Sequence, residues 1–115
     1  MSDVVIYHNP RCSKSRAALE LLQNNGVEPV IVEYLKMPPE RREFVRILGM
    51  LGMQAKDLVR AKEKVYKELG LSADSSEKEL IEAMIEHPIL IERPIVVKGD
   101  RAALGRPPEN VLTIL

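Results

Sequence analysis

Cys12, the chain's one cysteine, lies in the segment His8-Asn9-Pro10-Arg11-Cys12-Ser13-Lys14-Ser15-Arg16. An apolar run precedes this segment and a helical pattern follows it. The sulfur therefore falls near a helix start, where backbone N–H groups lack intrahelical partners and favour an anion. Such a setting lowers a thiol pKa, and the thiolate is the nucleophilic form. Arg11, Lys14 and Arg16 add positive charge, with no acid between residues 11 and 16. Ser15 can donate a hydrogen bond to the thiolate from one turn along. His8 adds charge if protonated, or otherwise hydrogen-bonds the loop backbone. A lone cysteine is often just a small buried hydrophobe; the helix start and the cations favour a nucleophile here. With no second cysteine, whatever Cys12 attacks has to be released by another molecule.

Three arginines farther along could supply a target. Arg60, Arg93 and Arg106 each have an ordinary reading as a surface charge. Arg93 and Arg106 stand out because each directly precedes a proline, which holds its backbone extended. Both flank a C-terminal hairpin that can join the sheet containing the first strand and bring them toward Cys12. Guanidinium forks bind tetrahedral oxyanions well. A thiolate beside such forks would attack a bound oxyanion.

The elements that must position these groups can be read from pattern. Val4-Val5-Ile6-Tyr7 is a strand, broken by Asn9-Pro10. From Ser13 to about Asn25 the periodicity is helical, on Ala17, Ala18, Leu21 and Leu22. Pro29 to Tyr34 is a second strand, and the short links imply a parallel right-handed crossover. A helix is expected from Pro39, carrying Phe44, Leu48 and Leu51 and ending near Gly49–Gly52. A short helix near 55–60 and a turn near 63–69 follow. Ser76 and Glu79 have the spacing of a capping box, ahead of an apolar stripe of Leu80, Ile81, Met84 and Ile85. Ile95-Val96-Val97 is a strand, Lys98-Gly99-Asp100-Arg101 a tight turn, and Ala102-Ala103-Leu104 the returning strand. Pro107-Pro108 should open a terminal helix with Val111, Leu112 and Leu115 facing inward. The order is β-α-β, a helical insert, then β-β-α, which suits an α/β fold with a small mixed sheet.

Composition narrows the function classes. The 115 residues suit one domain, and Lys plus Arg balance Asp plus Glu at 17 each. A zero net charge argues against a nucleic-acid binder. No apolar run has membrane length, and no signal-peptide pattern opens the chain, so a reducing cytoplasmic setting is expected. The two histidines, His8 and His87, are far apart, so no metal site is expected. Glu77, Glu79, Glu82 and Glu86 read as a solvated helix face, with a docking surface as the rarer alternative.

From Ile6-Tyr7-His8-Asn9-Pro10 through Cys12 to Arg106-Pro107, the chain resembles the arsenate reductase family that works with glutathione and glutaredoxin. The Cys12-Ser13-Lys14-Ser15-Arg16 loop and the Gly105-Arg106-Pro107-Pro108-Glu109 ending look closest to a short bacterial branch. The resemblance implies a thioredoxin/glutaredoxin-like fold with an inserted helical segment. It would be a single domain over 1–115, with its core at about 1–36 and 88–115 and the insert at about 37–87. By motif, Cys12 corresponds to the family's nucleophile, and Arg60, Arg93 and Arg106 to its oxyanion-binding arginines. His8 and Ser15 correspond to thiolate-supporting residues, and Pro94 to a cis proline. The implied activity is reduction of arsenate to arsenite through a covalent thiolate–arsenic adduct. Glutathione would be the co-substrate and glutaredoxin the protein partner, with no tightly bound cofactor. Longer arsenic-resistance members carry a C-terminal extension, and Gly-Thr where this chain has Ser13-Lys14. Two other classes remain open: a monothiol glutathione-dependent oxidoreductase of another substrate, and an RNA polymerase-binding regulator like the sister Spx group. The latter usually has Cys-x-x-Cys, where this chain has Ser15.

Overall fold

The computed structural model describes residues 3–115, which fall into two compact units. The first comprises residues 3–37 with 93–115, and the second Pro38–Glu92.

In the first unit the order is β1 (Val4–His8), α1 (Ser13–Asn24), β2 (Val30–Glu33), β3 (Ile95–Lys98) and β4 (Arg101–Leu104), then a 3₁₀ helix over Pro108–Ile114. The strands form one sheet in the order β2-β1-β3-β4. β1 runs parallel to β2, with His8 opposite Glu33, and antiparallel to β3, with Tyr7 opposite Ile95. The central strand alternates as a strand packed on one face should, with Val4, Ile6 and His8 buried and Val5 and Tyr7 half-buried. Val4, Ile6, Val96 and Ala103 from the sheet meet Ala18 and Leu22 of α1 and Val111 and Ile114 of the terminal helix. The inward stripe of α1 runs Ser15-Ala18-Leu22, the i, i+3, i+7 set of one helix face. Gly99 supplies the positive φ of the hairpin turn between β3 and β4.

One sequence expectation fails at the C-terminus. The segment after Pro107 is 3₁₀ rather than α, with three residues per turn. That period brings Val111 and Ile114 inward together and leaves Leu115 exposed.

The second unit is helical: α2 (Arg41–Leu51), α3 (Ala55–Leu58), α4 (Lys64–Glu68), α5 (Glu77–Glu86) and a 3₁₀ turn at Pro88–Leu90. Phe44, Ile47, Leu48, Ala55, Leu58, Leu80, Met84 and Leu90 are buried. α2 begins at Arg41 rather than Pro39, because the backbone stays extended through Glu40 (φ −66°, ψ 156°). The capping box forms: Glu79 N–H donates to Ser76 Oγ and Ser76 N–H to Glu79 Oε1, both at 3.1 Å. The acidic run does structural work beyond that box. Both Glu77 carboxylate oxygens accept the Ala55 N–H at 3.0 Å, at the first residue of α3, and Glu82 pairs with Arg41 at 3.1 Å.

Candidate active site

The geometry of the site begins with β1. The strand ends at His8, and the next residues turn tightly, with Cys12 N–H donating to the Asn9 carbonyl at 3.0 Å. This turn sets Cys12 at the N-cap of α1 with extended backbone (φ −91°, ψ 123°), and its carbonyl accepts the first helical bond, from Arg16 N–H at 3.0 Å. The first turn of α1 contains no acid, so its positive end is left uncompensated.

The sulfur is half-buried, and its pKa lies below the ordinary thiol value. Burial is the largest influence and works the other way, disfavouring charge. It is outweighed by the Ser15 backbone N–H, the Arg93 side chain, the Lys14 backbone N–H and the Arg93 charge. Cys12 makes no fixed side-chain cap hydrogen bond; the N–H groups act by favouring the charged form of the sulfur. Lys14 and Ser15 thus contribute through their backbone. Arg16, counted in sequence among the cations around the thiol, instead donates from Nη1 to the Pro10 carbonyl at 2.9 Å.

The C-terminal hairpin brings in the two proline-linked arginines. Arg106 donates from Nη2 to Cys12 Sγ at 3.8 Å, and from Nε to the Arg93 carbonyl at 2.8 Å. Arg93 in turn reaches the sulfur with its own side chain. Cys12, Arg93 and Arg106 therefore close a ring of contacts, in which the two arginines are 13 residues apart and Cys12 lies 94 residues before Arg106. Both the Arg93–Pro94 and Arg106–Pro107 peptide bonds are cis. Gly105 is packed so closely that a Cβ would sit 2.6 Å from Pro94 Cγ, while its N–H donates to the Pro94 carbonyl at 2.8 Å.

His8 and Ser15 form the layer beneath the turn. Ser15 is fully buried; its Oγ lies 2.6 Å from His8 Nδ1 and accepts the Asn9 N–H at 3.0 Å. The hydroxyl thus ties the end of β1 to the first turn of α1, while the Ser15 amide serves the sulfur. The His8 pKa is lowered: burial dominates, Glu33 opposes it and Arg16 reinforces it. His8 is therefore neutral at pH 7 and acts as a hydrogen-bonding group, not as a charge.

Arg60 belongs to the second unit, where Nε pairs with Glu63 at 3.2 Å and Nη1 with Glu92 at 3.1 Å. Its N–H donates to the Leu90 carbonyl at 2.7 Å. Sequence reasoning passed over Tyr34, which it took only as the end of the second strand. Tyr34 follows β2, is 1% exposed, and contacts the Arg93 guanidinium. The available signal was strand alternation, which sets Tyr34 on the face of Val32 and Val30. Among the described residues no group of His, Cys, Asp or Glu could hold a metal ion, and no helix is long and apolar enough to cross a membrane.

A half-buried thiol at a helix N-cap, its pKa lowered and two guanidinium groups beside it, can bind an anion and, as the thiolate, attack it. The chain as a whole is similar to known proteins. The chain is 54% identical to YfgD, an uncharacterized protein of Escherichia coli K12, over 97% of this chain and 96% of that one. It is 49% identical to an arsenate reductase of Haemophilus influenzae, over 97% and 98% of the two chains. The solved structure of an arsenate reductase from Vibrio cholerae superposes with a TM-score of 0.92 at 51% identity, over 97% of each chain. The mixed α/β, thioredoxin-like class read from the sequence holds. The ArsC family model matches residues 7–114, a span that includes Cys12, Arg60, Arg93 and Arg106, and the chain belongs to that family.

Proposed function

We propose that this protein is an arsenate reductase that uses Cys12 as its nucleophile. The observation that carries the reading is the convergence of Arg93 and Arg106 on the sulfur of Cys12. Relatives named arsenate reductase at 45–49% identity support the substrate. Arg93 and Arg106 hold the oxyanion through charge-assisted hydrogen bonds, with Arg60 as the third arginine by family match. The thiolate attacks arsenic(V), and one arsenate oxygen takes up protons and leaves as water, giving a Cys12–S–As adduct. A glutathione thiol then attacks the Cys12 sulfur. The S–As bond breaks with its electron pair staying on arsenic, arsenite departs, and Cys12 is left in a mixed disulfide with glutathione. Glutaredoxin reduces that disulfide in a cytoplasmic thiol pool. An external thiol is required because the chain has no second cysteine.

The test follows arsenate-dependent NADPH consumption in the presence of glutathione, glutaredoxin and glutathione reductase. Wild type should turn over, and Cys12→Ser should lose at least about a thousandfold with an unchanged melting temperature. Turnover by the serine variant would sink the role of Cys12. Activity on a glutathione mixed disulfide, with none on arsenate, would assign the same thiolate to a monothiol oxidoreductase.

A further inference from the structure

The turn from Asn9 to Cys12 closes on the Cys12 N–H, which donates to the Asn9 carbonyl at 3.0 Å. Its central peptide unit joins Pro10 to Arg11, and both polar ends of that unit are held by side chains. The Arg11 N–H donates to Asn9 Oδ1 at 3.0 Å, and the Pro10 carbonyl accepts from Arg16 Nη1 at 2.9 Å. One peptide plane is thus gripped by its nitrogen from the start of the turn and by its oxygen from the first turn of α1. Asn9 is itself anchored: it is buried, and its N–H donates to Ser15 Oγ at 3.0 Å. Pro10 and Arg11 are exposed, so no packing covers the outside of the turn.

An asparagine that accepts from the residue two along copies a backbone turn with its side chain. The acceptor is the amide oxygen, because the partner is an N–H. The central peptide of a four-residue turn has two orientations, and one of them demands positive φ at the third residue, here Arg11. No non-glycine residue among those described has positive φ, so the turn keeps the other. That backbone preference opposes full reversal but leaves the plane free to tilt, and tilt swings the next residue, Cys12. The sulfur has little slack. Arg106 Nη2 reaches it at 3.8 Å, a contact that a small further drift would break.

We propose that Asn9 and Arg16 are positioning residues that fix the Pro10–Arg11 peptide plane from its two ends, and so hold the Cys12 sulfur within reach of Arg106. Both act through the backbone of the turn. Arg16 therefore serves by geometry and not as a charge beside the thiol. The consequence for arsenate rests on the function proposed above; the brace itself does not.

The experiment therefore reads the sulfur without arsenate. Because the chain has one cysteine, the rate of alkylation by iodoacetamide against pH reports Cys12 alone. Full-length wild type is compared with Asn9→Ala, Asn9→Ser and Arg16→Met. Asn9→Ala should move the midpoint upward by about half a pH unit, a roughly threefold slower alkylation below the midpoint. It should also speed hydrogen exchange of the Arg11 amide about tenfold. Asn9→Ser, whose hydroxyl accepts the same N–H more weakly, should recover part of both changes. Arg16→Met should give a smaller upward shift, the same at about 0.1 M and about 1 M salt, since screening weakens a distant charge far more than a hydrogen bond. An unmoved midpoint in Asn9→Ala overturns the proposal, as does an Arg16→Met shift that vanishes at the higher salt. A lowered melting temperature with an unmoved midpoint overturns it too, since that is a stability role only. If Asn9→Ala does not fold, unmoved midpoints in both Asn9→Ser and Arg16→Met overturn it. In arsenate kinetics Asn9→Ala should lower kcat more than it raises KM, because it displaces the nucleophile. A shifted midpoint, in a protein whose wild type does not reduce arsenate, upholds the brace and sinks the reductase reading instead.

Discussion

The two units use the same residue types to different ends. Around Cys12, charged and polar groups converge on a single atom: Arg93 and Arg106 reach its sulfur, and two backbone amides favour its anion. In the helical unit the charged groups satisfy one another. Arg60 is held between Glu63 and Glu92, Glu82 by Arg41, and Glu77 and Glu79 by backbone N–H groups at helix starts. Electrostatics in one unit makes a reactive group, and in the other it closes helix ends and fixes chain crossings. An arginine's identity alone therefore does not say which partner it takes, a carboxylate or a thiolate.

The strongest way to break this contrast is to remove the converging cations. Arg93→Met or Arg106→Met should lower kcat/KM for arsenate about 10–100-fold, and lysine at either position should not restore it, since it lacks the planar fork. Arg60→Met should in addition lower the melting temperature, because Glu63 and Glu92 both lose their partner, a cost of about 1 kcal/mol. Equal melting temperatures for all three variants would show that the pairs in the helical unit carry no stability.

Packing behind the site can be tested next. In Gly105→Ala the new methyl meets the Pro94 ring at 2.6 Å, and overpacking of that kind costs about 1–3 kcal/mol. Chemical denaturation should show the loss, together with a raised alkylation midpoint for Cys12, since Arg106 is the next residue. A smaller effect is expected in the other unit. Ser76→Ala removes the reciprocal cap of α5 and should cost about 1 kcal/mol, with the Cys12 alkylation profile unchanged. A change in that profile would mean that the two electrostatic systems are not separable.

The pH dependence of stability sharpens the same point. His8 has a lowered pKa in the folded chain, chiefly from burial. The unfolded chain therefore takes up a proton first as pH falls below about 6.5. His8 thus contributes stability that is complete above that value and is lost as pH drops through the folded pKa. His8→Gln should show a smaller fall in melting temperature between pH 7.5 and pH 5 than wild type. An identical fall would mean that the histidine charges without penalty.

Much of this architecture was legible before the structure. The strand, break and helix pattern around Asn9-Pro10 located Cys12 at a helix start, and Ser76 with Glu79 announced α5. These are local signals, carried by residues within one turn of each other. What escaped was non-local or depended on a side chain's choice between partners. Nothing in the order of residues says that Ser15 gives its hydroxyl to the His8–Asn9 turn and its amide to the sulfur. Nor does it say that Arg16 faces the Pro10 carbonyl, or that Tyr34 is buried beside Arg93 when the strand before it is largely exposed. The 3₁₀ winding after Pro107 was missed because Val111, Leu112, Ile114 and Leu115 satisfy either helical period equally well.

The ring formed by Cys12, Arg93 and Arg106 joins distant parts of the chain, the last guanidinium coming 94 residues after the sulfur. Synthesis runs from the first residue, so Cys12 leaves the ribosome long before either arginine exists. Until the hairpin has been made and docked against β1, the cysteine lacks the cationic share of its activation and behaves more nearly as an ordinary thiol. The order of translation thus withholds full nucleophilicity from an unfinished polypeptide, and a chain truncated before Arg93 would carry the cysteine without its cations.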